Sequence, residues 1–536
     1  MNKNKNITLW LLGMILCSLP MFAQETSADP DFPVLNPESC TSIMVAKDAS
    51  TDGSTMTSHT CDSNYRTWMD VVAGGEKEKG ATVDIYSGRM HTEYDKGMRG
   101  MKLKGTIPEA HSVYQFLNTA YPCLNEKQLG IGETTISGRR ALVNKNGMFM
   151  IEELQKIALQ RCKTAREAIR LMGDLVAKYG YGDWGECLTI ADPKEVWFFE
   201  IFGEGPDKIG GVWAAIRIPD DHVAVSANIP RISKVDPKDT ENCMASDNVF
   251  EAAKRLGLWD GKKPFRFWEV YGGGSKAYSI REYFLLNKMA PSLKLSDQVD
   301  ELPLSVKPDK KLSVTDVMDL LCETYEGTEY DMTKNLKVAL KKKGSDQVDT
   351  VISPSANPWM TTDMVNMLNG LKENAVKRVR LVAVPQCSYS TVIQLRSWLP
   401  DDVGGVVWMS YDNPGQSPRF PIFCGTTDLP ASLKVCGQHR FREDAAVWSY
   451  RRANKLATVR WGLTRDKIEA GMKYFAEKGQ AEMPYVENRY KQLLQEQGQE
   501  AARAFLTGYT ADFIGATMLR WNEMADSFWT QFERGF

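Results

Sequence analysis

The stretch Cys40-Thr41-Ser42-Ile43-Met44-Val45-Ala46-Lys47 decides how this chain is read. It alternates small or polar residues with apolar ones, as a half-buried strand does. Thr51-Asp52-Gly53-Ser54 then signals a turn, and Thr55-Met56-Thr57-Ser58-His59-Thr60 has the composition of a returning strand. A cysteine at the first position of such a strand is commonly a small buried hydrophobe. A cut between Ser39 and Cys40 would change its chemistry. Cys40 would then carry a thiol and a free α-amine, a nucleophile with its own base. The amine of a free N-terminus has a pKa of about 7.7–8.0, close to the best value for a base at neutral pH.

The residues upstream of Cys40 suit removal. Lys3 and Lys5 precede an apolar run from Ile7 to Leu19, and Pro20 and Met21-Phe22-Ala23 follow. This pattern predicts a secretory signal peptide over 1–23, too short for a comfortable membrane span. Residues 24–39 are polar and contain Pro30, Pro33 and Pro37, which reads as a flexible propeptide. The expected location is secreted or periplasmic, with no stable membrane insertion once the signal is gone.

Downstream, 106–125 reads as mostly loop and GIGETT (130–135) as a short strand. Residues 151–162 and 165–178 read as helices. CLTIAD, VWFFEIFG, GVWAAIRIP and HVAVSAN then follow as strands of an antiparallel meander. Val314 to Tyr325 reads as a helix, and RLVAVPQ and GVVWMSY read as strands around a polar stretch near 387–403. From about 440 the pattern is helical, over 441–458, 463–478, 484–507 and 510–533. Strands, then helices, then strands indicate α+β layers rather than alternating βαβ units.

Composition narrows the function classes. The 536 residues carry 66 Lys+Arg and 68 Asp+Glu, and 43% are hydrophobic. Such a balance excludes a disordered tail, a collagen and a multi-span membrane protein. There is no basic excess for nucleic acid. Without residues 1–39 the balance becomes neutral, so self-association into a homo-oligomer stays open. None of the eleven cysteines forms a CxxC pair, and with only five histidines a His-rich metal site is hard to build. Asp220-Asp221-His222 sits on a turn where three adjacent residues cannot all face one ion. Gly272-Gly273-Gly274-Ser275 lacks the lysine and helix of a phosphate loop. No metal and no cofactor are expected.

Several longer blocks carry a resemblance. Cys40 to Lys47, Thr51 to Thr55 and His59-Thr60-Cys61-Asp62 resemble the start of the secreted dipeptidase A family. These are cysteine peptidases of the N-terminal-nucleophile hydrolase superfamily. LNEKQLGIGETT (124–135), RCKTAREAI (161–169), IADPKEVWFFE (190–200) and PDDHVAVSANIPRI (219–232) are similar to family blocks. YSIREYFLL (278–286), LPLSVKPDKKLSVTDVMDLL (302–321) and YEGTEYDMT (325–333) extend the likeness. It covers roughly 40–450.

The resemblance implies a four-layer αββα sandwich over 40–536, with a helical C-terminal portion from about 440. It implies hydrolysis of dipeptides from a free N-terminus through a thioester on Cys40. Asp62 matches the aspartate that orients the α-amine. Asn228 matches an oxyanion donor, and Arg281 an arginine near the nucleophile. Thr135 lies where relatives place a second polar residue. His59 departs from the pattern, because related amidases carry an arginine there. Glu133 is the candidate for the substrate's ammonium, since a dipeptidase must hold one. Two alternatives stand beside this reading. One is an acylase-type amidase like penicillin V acylase or bile salt hydrolase, which would want a larger apolar pocket and no such carboxylate. The other is a catalytically silent binding protein on the same fold.

Overall fold

The computed structural model describes residues 39–93, 101–341, 344–438 and 440–532. The expected signal peptide (1–23) and all of the propeptide except Ser39 lie outside the described residues. In chain order the main elements begin with β1 (Ser39–Val45), β2 (Thr55–Asp62) and β3 (Gly130–Thr135). Helices α1 (Ile151–Arg161) and α2 (Ala165–Tyr179) follow. Next come β4 (Glu186–Ala191), β5 (Val196–Gly203), β6 (Gly211–Arg217) and β7 (Val223–Ser226). Then come α3 (Ile280–Met289), α4 (Val314–Leu321), β8 (Cys387–Leu395), β9 (Gly405–Tyr411) and β10 (Phe420–Phe423). The chain ends in α5 (Ala446–Val459), α6 (Trp461–Gln497) and α7 (Gln499–Gln531).

Two antiparallel sheets form the centre. One is ordered Ser305–Val306, β7, β1, β2, β8, β9, β10. The other is ordered Cys243–Ala245, β6, β5, β4, β3, Leu124–Asn125, Phe116–Asn118, Asp70–Val72. The sheets press face to face at Gly132, where an added Cβ would collide with the Ser58 carbonyl and the Thr189 hydroxyl. Thr57 of β2 and Thr189 of β4 share a hydroxyl contact of 2.6 Å across this gap. Helix α2 covers the eight-stranded sheet, with Gly173 against the Trp213 ring. Helices α5, α6 and α7 cover the seven-stranded one, where Gly479 admits the Trp408 ring. The result is the αββα sandwich the resemblance implies. Among the described residues no helix is long and apolar enough to cross a membrane.

Four expectations need correction. Residues 106–125 are not mostly loop, since 116–118 and 124–125 pair into the eight-stranded sheet. HVAVSAN does not continue the meander. Its strand β7 crosses to the other sheet and pairs with β1, with Val45 opposite Val223. RLVAVPQ is not a strand, and the polar-looking run at 387–395 is the strand β8, buried along its whole length. Its hydroxyls find partners inside, as Ser390 Oγ does at 2.6 Å from Arg419 Nη2. The C-terminal pattern is two long helices after α5 rather than three. Pro484 is carried within α6, and the break falls at Gly498, whose φ of +87° suits glycine. Arg503, Tyr490 and Gln499 all donate to the buried Asp402 carboxylate, which ties this hairpin to the sheet beneath.

Candidate active site

Strand β1 begins at the sheet end where β2 finishes, with Ser39 opposite Asp62 and Cys40 opposite Cys61. Cys40 is fully buried, and each of its polar groups has a dedicated partner. Its N–H donates to Asn228 Oδ1 at 2.9 Å. Its carbonyl accepts Arg281 Nη1–H at 2.6 Å. Its sulfur lies 3.7 Å from Glu133 Oε2. Burial is the main cause that pushes the thiol well up, and the nearby Glu133, Cys61 and Asp62 add to it. The Asp62 backbone N–H acts the other way. With its backbone N–H in a peptide bond, Cys40 therefore keeps a neutral thiol near pH 7.

Asn228 follows β7 in a left-handed conformation, φ 68°. A guanidinium can only donate, so the contact of 2.7 Å from Arg281 Nη2 fixes which end of the amide is oxygen. The Asn228 NH2 points away, to the Thr135 carbonyl at 2.6 Å. The structure thus gives Asn228 an acceptor role at Cys40 N, beside the donor role expected of it. Arg281 enters from the first turn of α3, behind a capping box made by Ser279 and Glu282. It also binds Thr41 Oγ1 and the Ala227 carbonyl. Burial lowers its pKa to about 10, and the neighbouring Arg380 charge contributes. Arg281 braces the backbone of Cys40 rather than its sulfur.

Asp62 accepts Thr60 Oγ1–H at 2.9 Å and Arg380 Nη2–H at 2.8 Å, both on Oδ2. Its Oδ1 is buried with no hydrogen-bond partner among the described residues. His59 sits between Tyr121 and Tyr389 in edge-on ring contacts, its Nε2 3.3 Å from Glu133 Oε2. Thr135 Oγ1 donates to Glu133 Oε1 at 3.2 Å. All seven residues singled out from the sequence therefore lie in one connected cluster. His222 lies outside it, bonded to Ser305 Oγ on the sheet edge.

Sequence reasoning missed two members. Glu186 opens β4 opposite Thr135, fully in the interior. Burial, then the charge and hydrogen bond of Glu133, push its carboxyl well up. Glu186 lies just outside the run CLTIAD, and only the strand register places it opposite Thr135. Arg380 was hidden in RLVAVPQ, whose apolar residues suggested a strand. The cluster also holds a donor set of a different kind. Cys40 Sγ, His59 Nε2 and a Glu133 oxygen all lie within 4.8 Å of one another.

A cysteine opening the first strand of an αββα sandwich is the arrangement of the N-terminal-nucleophile hydrolases. Residues 39–474 match the profile of Peptidase family C69. The chain belongs to that family, and its class is that of a cysteine-type peptidase. A protein of Latilactobacillus sakei named "Probable dipeptidase" is 27% identical over 415 residues, 74% of this chain and 76% of that one. A "Probable dipeptidase" of Salmonella dublin is 26% identical over 407 residues, 72% and 81% of the two chains. "Probable dipeptidase B" of Streptococcus pyogenes serotype M1 is 25% identical over 319 residues, 59% and 57%. Among solved structures, penicillin V acylase from Agrobacterium tumefaciens is similar over 72% of this chain and 86% of that one. Its identity is 11% and its TM-score 0.27.

Proposed function

We propose that this chain is a secreted or periplasmic dipeptidase whose nucleophile is Cys40, made N-terminal by removal of residues 1–39. One observation carries the reading. The backbone N–H of Cys40, the future α-amine, already faces a dedicated acceptor on Asn228, and the idle Oδ1 of Asp62 belongs to the same cluster. A free amine would bring further N–H groups, for which Asp62 Oδ1 is the open acceptor of this cluster.

The chemistry follows from those positions. The α-amine of Cys40 takes the thiol proton, and the thiolate attacks the substrate carbonyl carbon. Charge collects on the carbonyl oxygen, where the second hydrogen of the Asn228 NH2 is the proposed donor. Collapse breaks the C–N bond, the leaving amine takes the proton from the Cys40 ammonium, and a thioester remains. Water attacks the thioester and gives its proton to the α-amine. The acid leaves and the thiol is restored. Arg281 holds the Cys40 backbone still throughout.

Glu133 and Glu186 favour a dipeptide over an N-acyl substrate. Two buried carboxyl groups, Glu133 at the sulfur and Glu186 behind it, are costly to leave empty. They suit the ammonium that sits one carbon from the attacked carbonyl. An acylase pocket for an apolar acyl chain would place hydrocarbon against them. The names of the L. sakei and S. dublin relatives support the same choice.

The test is the N-terminal sequence of the purified protein, with hydrolysis of a dipeptide panel by wild type and Cys40→Ala. The expected result is a chain starting at Cys40, active only with the cysteine. An active protein that still begins upstream of Cys40 would overturn the α-amine mechanism.

A further inference from the structure

We propose that Arg380 is the binding site for the C-terminal carboxylate of the substrate, and that Ser39 occupies this site until the chain is cut. The inference rests on the dipeptidase reading and adds the substrate's other end.

A guanidinium has five N–H groups, and four of those of Arg380 can be followed to their partners. One Nη1–H goes to the Leu381 carbonyl. One Nη2–H goes to Asp62 Oδ2 at 2.8 Å. Nε–H at 3.2 Å and Nη2 at 2.6 Å both point at a single acceptor, Ser39 Oγ. Ser39 is the residue lost when Cys40 becomes N-terminal. Its departure frees Nε–H and an Nη2–H side by side, the fork that takes the two oxygens of a carboxylate. The Arg380 side chain is 14% exposed, so it is not wholly enclosed.

Chemistry fixes which half of the substrate lies there. The α-amine of Cys40 must protonate the leaving nitrogen, so the leaving residue has to sit on the amine side of Cys40. That side is where Ser39, Asp62 and Arg380 meet. The acyl half bonds to the sulfur, on the side of Glu133. In a dipeptide the carboxylate is one carbon beyond the leaving nitrogen, which must itself lie within hydrogen-bond reach of Cys40 N. Acids on the sulfur side and a cation on the amine side match a zwitterion of two residues. A longer peptide would place a neutral amide against the freed fork.

The experiment compares dipeptides with their C-terminal amides, using wild type, Arg380→Gln and Arg380→Lys, each confirmed by mass to start at Cys40. Two charge-assisted hydrogen bonds are at stake, so wild type should favour the free acid by about a hundredfold in kcat/KM. Arg380→Gln should lose about that factor on dipeptides and change little on the amides, with Lys in between. Equal losses on acid and amide would overturn the assignment and leave Arg380 as a positioning residue for Asp62. If Arg380→Gln does not mature, the wild-type ratio decides alone, and a ratio near one overturns the proposal. A wild-type protein that starts at Cys40 and cuts neither set overturns the dipeptidase reading itself, and the subsite with it.

Discussion

Asn228 receives the Cys40 N–H on its side-chain oxygen, 2.9 Å away, while its own NH2 is spent on the Thr135 carbonyl. One amide thus spans the two sheets, since Cys40 is the second residue of β1 and Thr135 ends β3. An aspartate would keep the acceptor and lose the donor. An alanine would lose both. If the second hydrogen of the NH2 serves the oxyanion, Asn228→Asp should be as poor as Asn228→Ala. Both should lower kcat by roughly a hundredfold to a thousandfold, about 2.7–4 kcal/mol of transition-state stabilisation, with KM moved far less. Steady-state kinetics on a chain verified to start at Cys40 checks this. An Asp variant close to wild type would confine Asn228 to holding the α-amine.

Glu133 and Glu186 carry the choice between dipeptides and N-acyl substrates. Replacing either carboxyl by its amide keeps the shape and removes its ability to carry a negative charge. Glu133→Gln should raise KM for free dipeptides at least tenfold, about the worth of one hydrogen bond to a charged group. It should leave N-acetylated dipeptides, poor substrates throughout, unaffected or improved. Glu186→Gln should act in the same direction and less strongly, because Glu186 lies behind Glu133 from the sulfur. Equal losses on free and acetylated substrates would point to a role at the thiol instead.

Much of this site is legible in the sequence, and the reason is local. Cys40 and Asp62 lie on one hairpin, and period-two alternation with a Thr-Asp-Gly-Ser turn fixes its pairing. Asn228 and Arg281 come from blocks whose resemblance is long enough to carry them. What stayed hidden depends on non-local facts. Strand β8 reads as polar because its serines and threonines are buried between two neighbouring strands and bonded inside, as Ser390 is to Arg419. Misplacing β8 turned RLVAVPQ into a strand and concealed Arg380. Glu186 needed the register opposite Thr135, which no local pattern encodes. The sequence pattern starts a separate helix at 484, whereas Pro484 is carried inside α6 between the buried Met483 and Val486.

The donors of Cys40, His59 and Glu133 predict an inhibitor. Zinc bound at about 2.3 Å to sulfur and about 2.0–2.1 Å to nitrogen or oxygen spaces its ligands roughly 3.3–3.6 Å apart. The site has His59 Nε2 at 3.3 Å and Cys40 Sγ at 3.7 Å from the same Glu133 oxygen. Micromolar Zn2+ should therefore silence the mature enzyme, and a chelator should restore it fully. Because the thiol must lose its proton to bind, inhibition should deepen as pH rises. His59→Ala should weaken inhibition by at least tenfold. Unchanged inhibition in that variant would place the metal elsewhere.

Glu200 predicts a pH dependence of stability. It is buried on β5 and accepts the backbone N–H groups of Arg231 and Ile232, which steers the chain just beyond Asn228. Burial raises its carboxyl to about 8, although those N–H groups and the Arg231 charge oppose the rise and Glu282 reinforces it. In the unfolded chain a glutamate titrates near about 4.3. Between those values the folded chain keeps a proton that the unfolded chain releases. Stability must then fall as pH climbs through that window, by up to about 1.4 kcal/mol per pH unit from this group. Glutamine still accepts both N–H groups but cannot titrate. Glu200→Gln should therefore gain on wild type steadily from pH 5 to pH 8 and no further above it, read as urea midpoints at matched ionic strength. A constant gap across that range would mean that Glu200 stays ionised inside the fold, with Arg231 as its counter-ion.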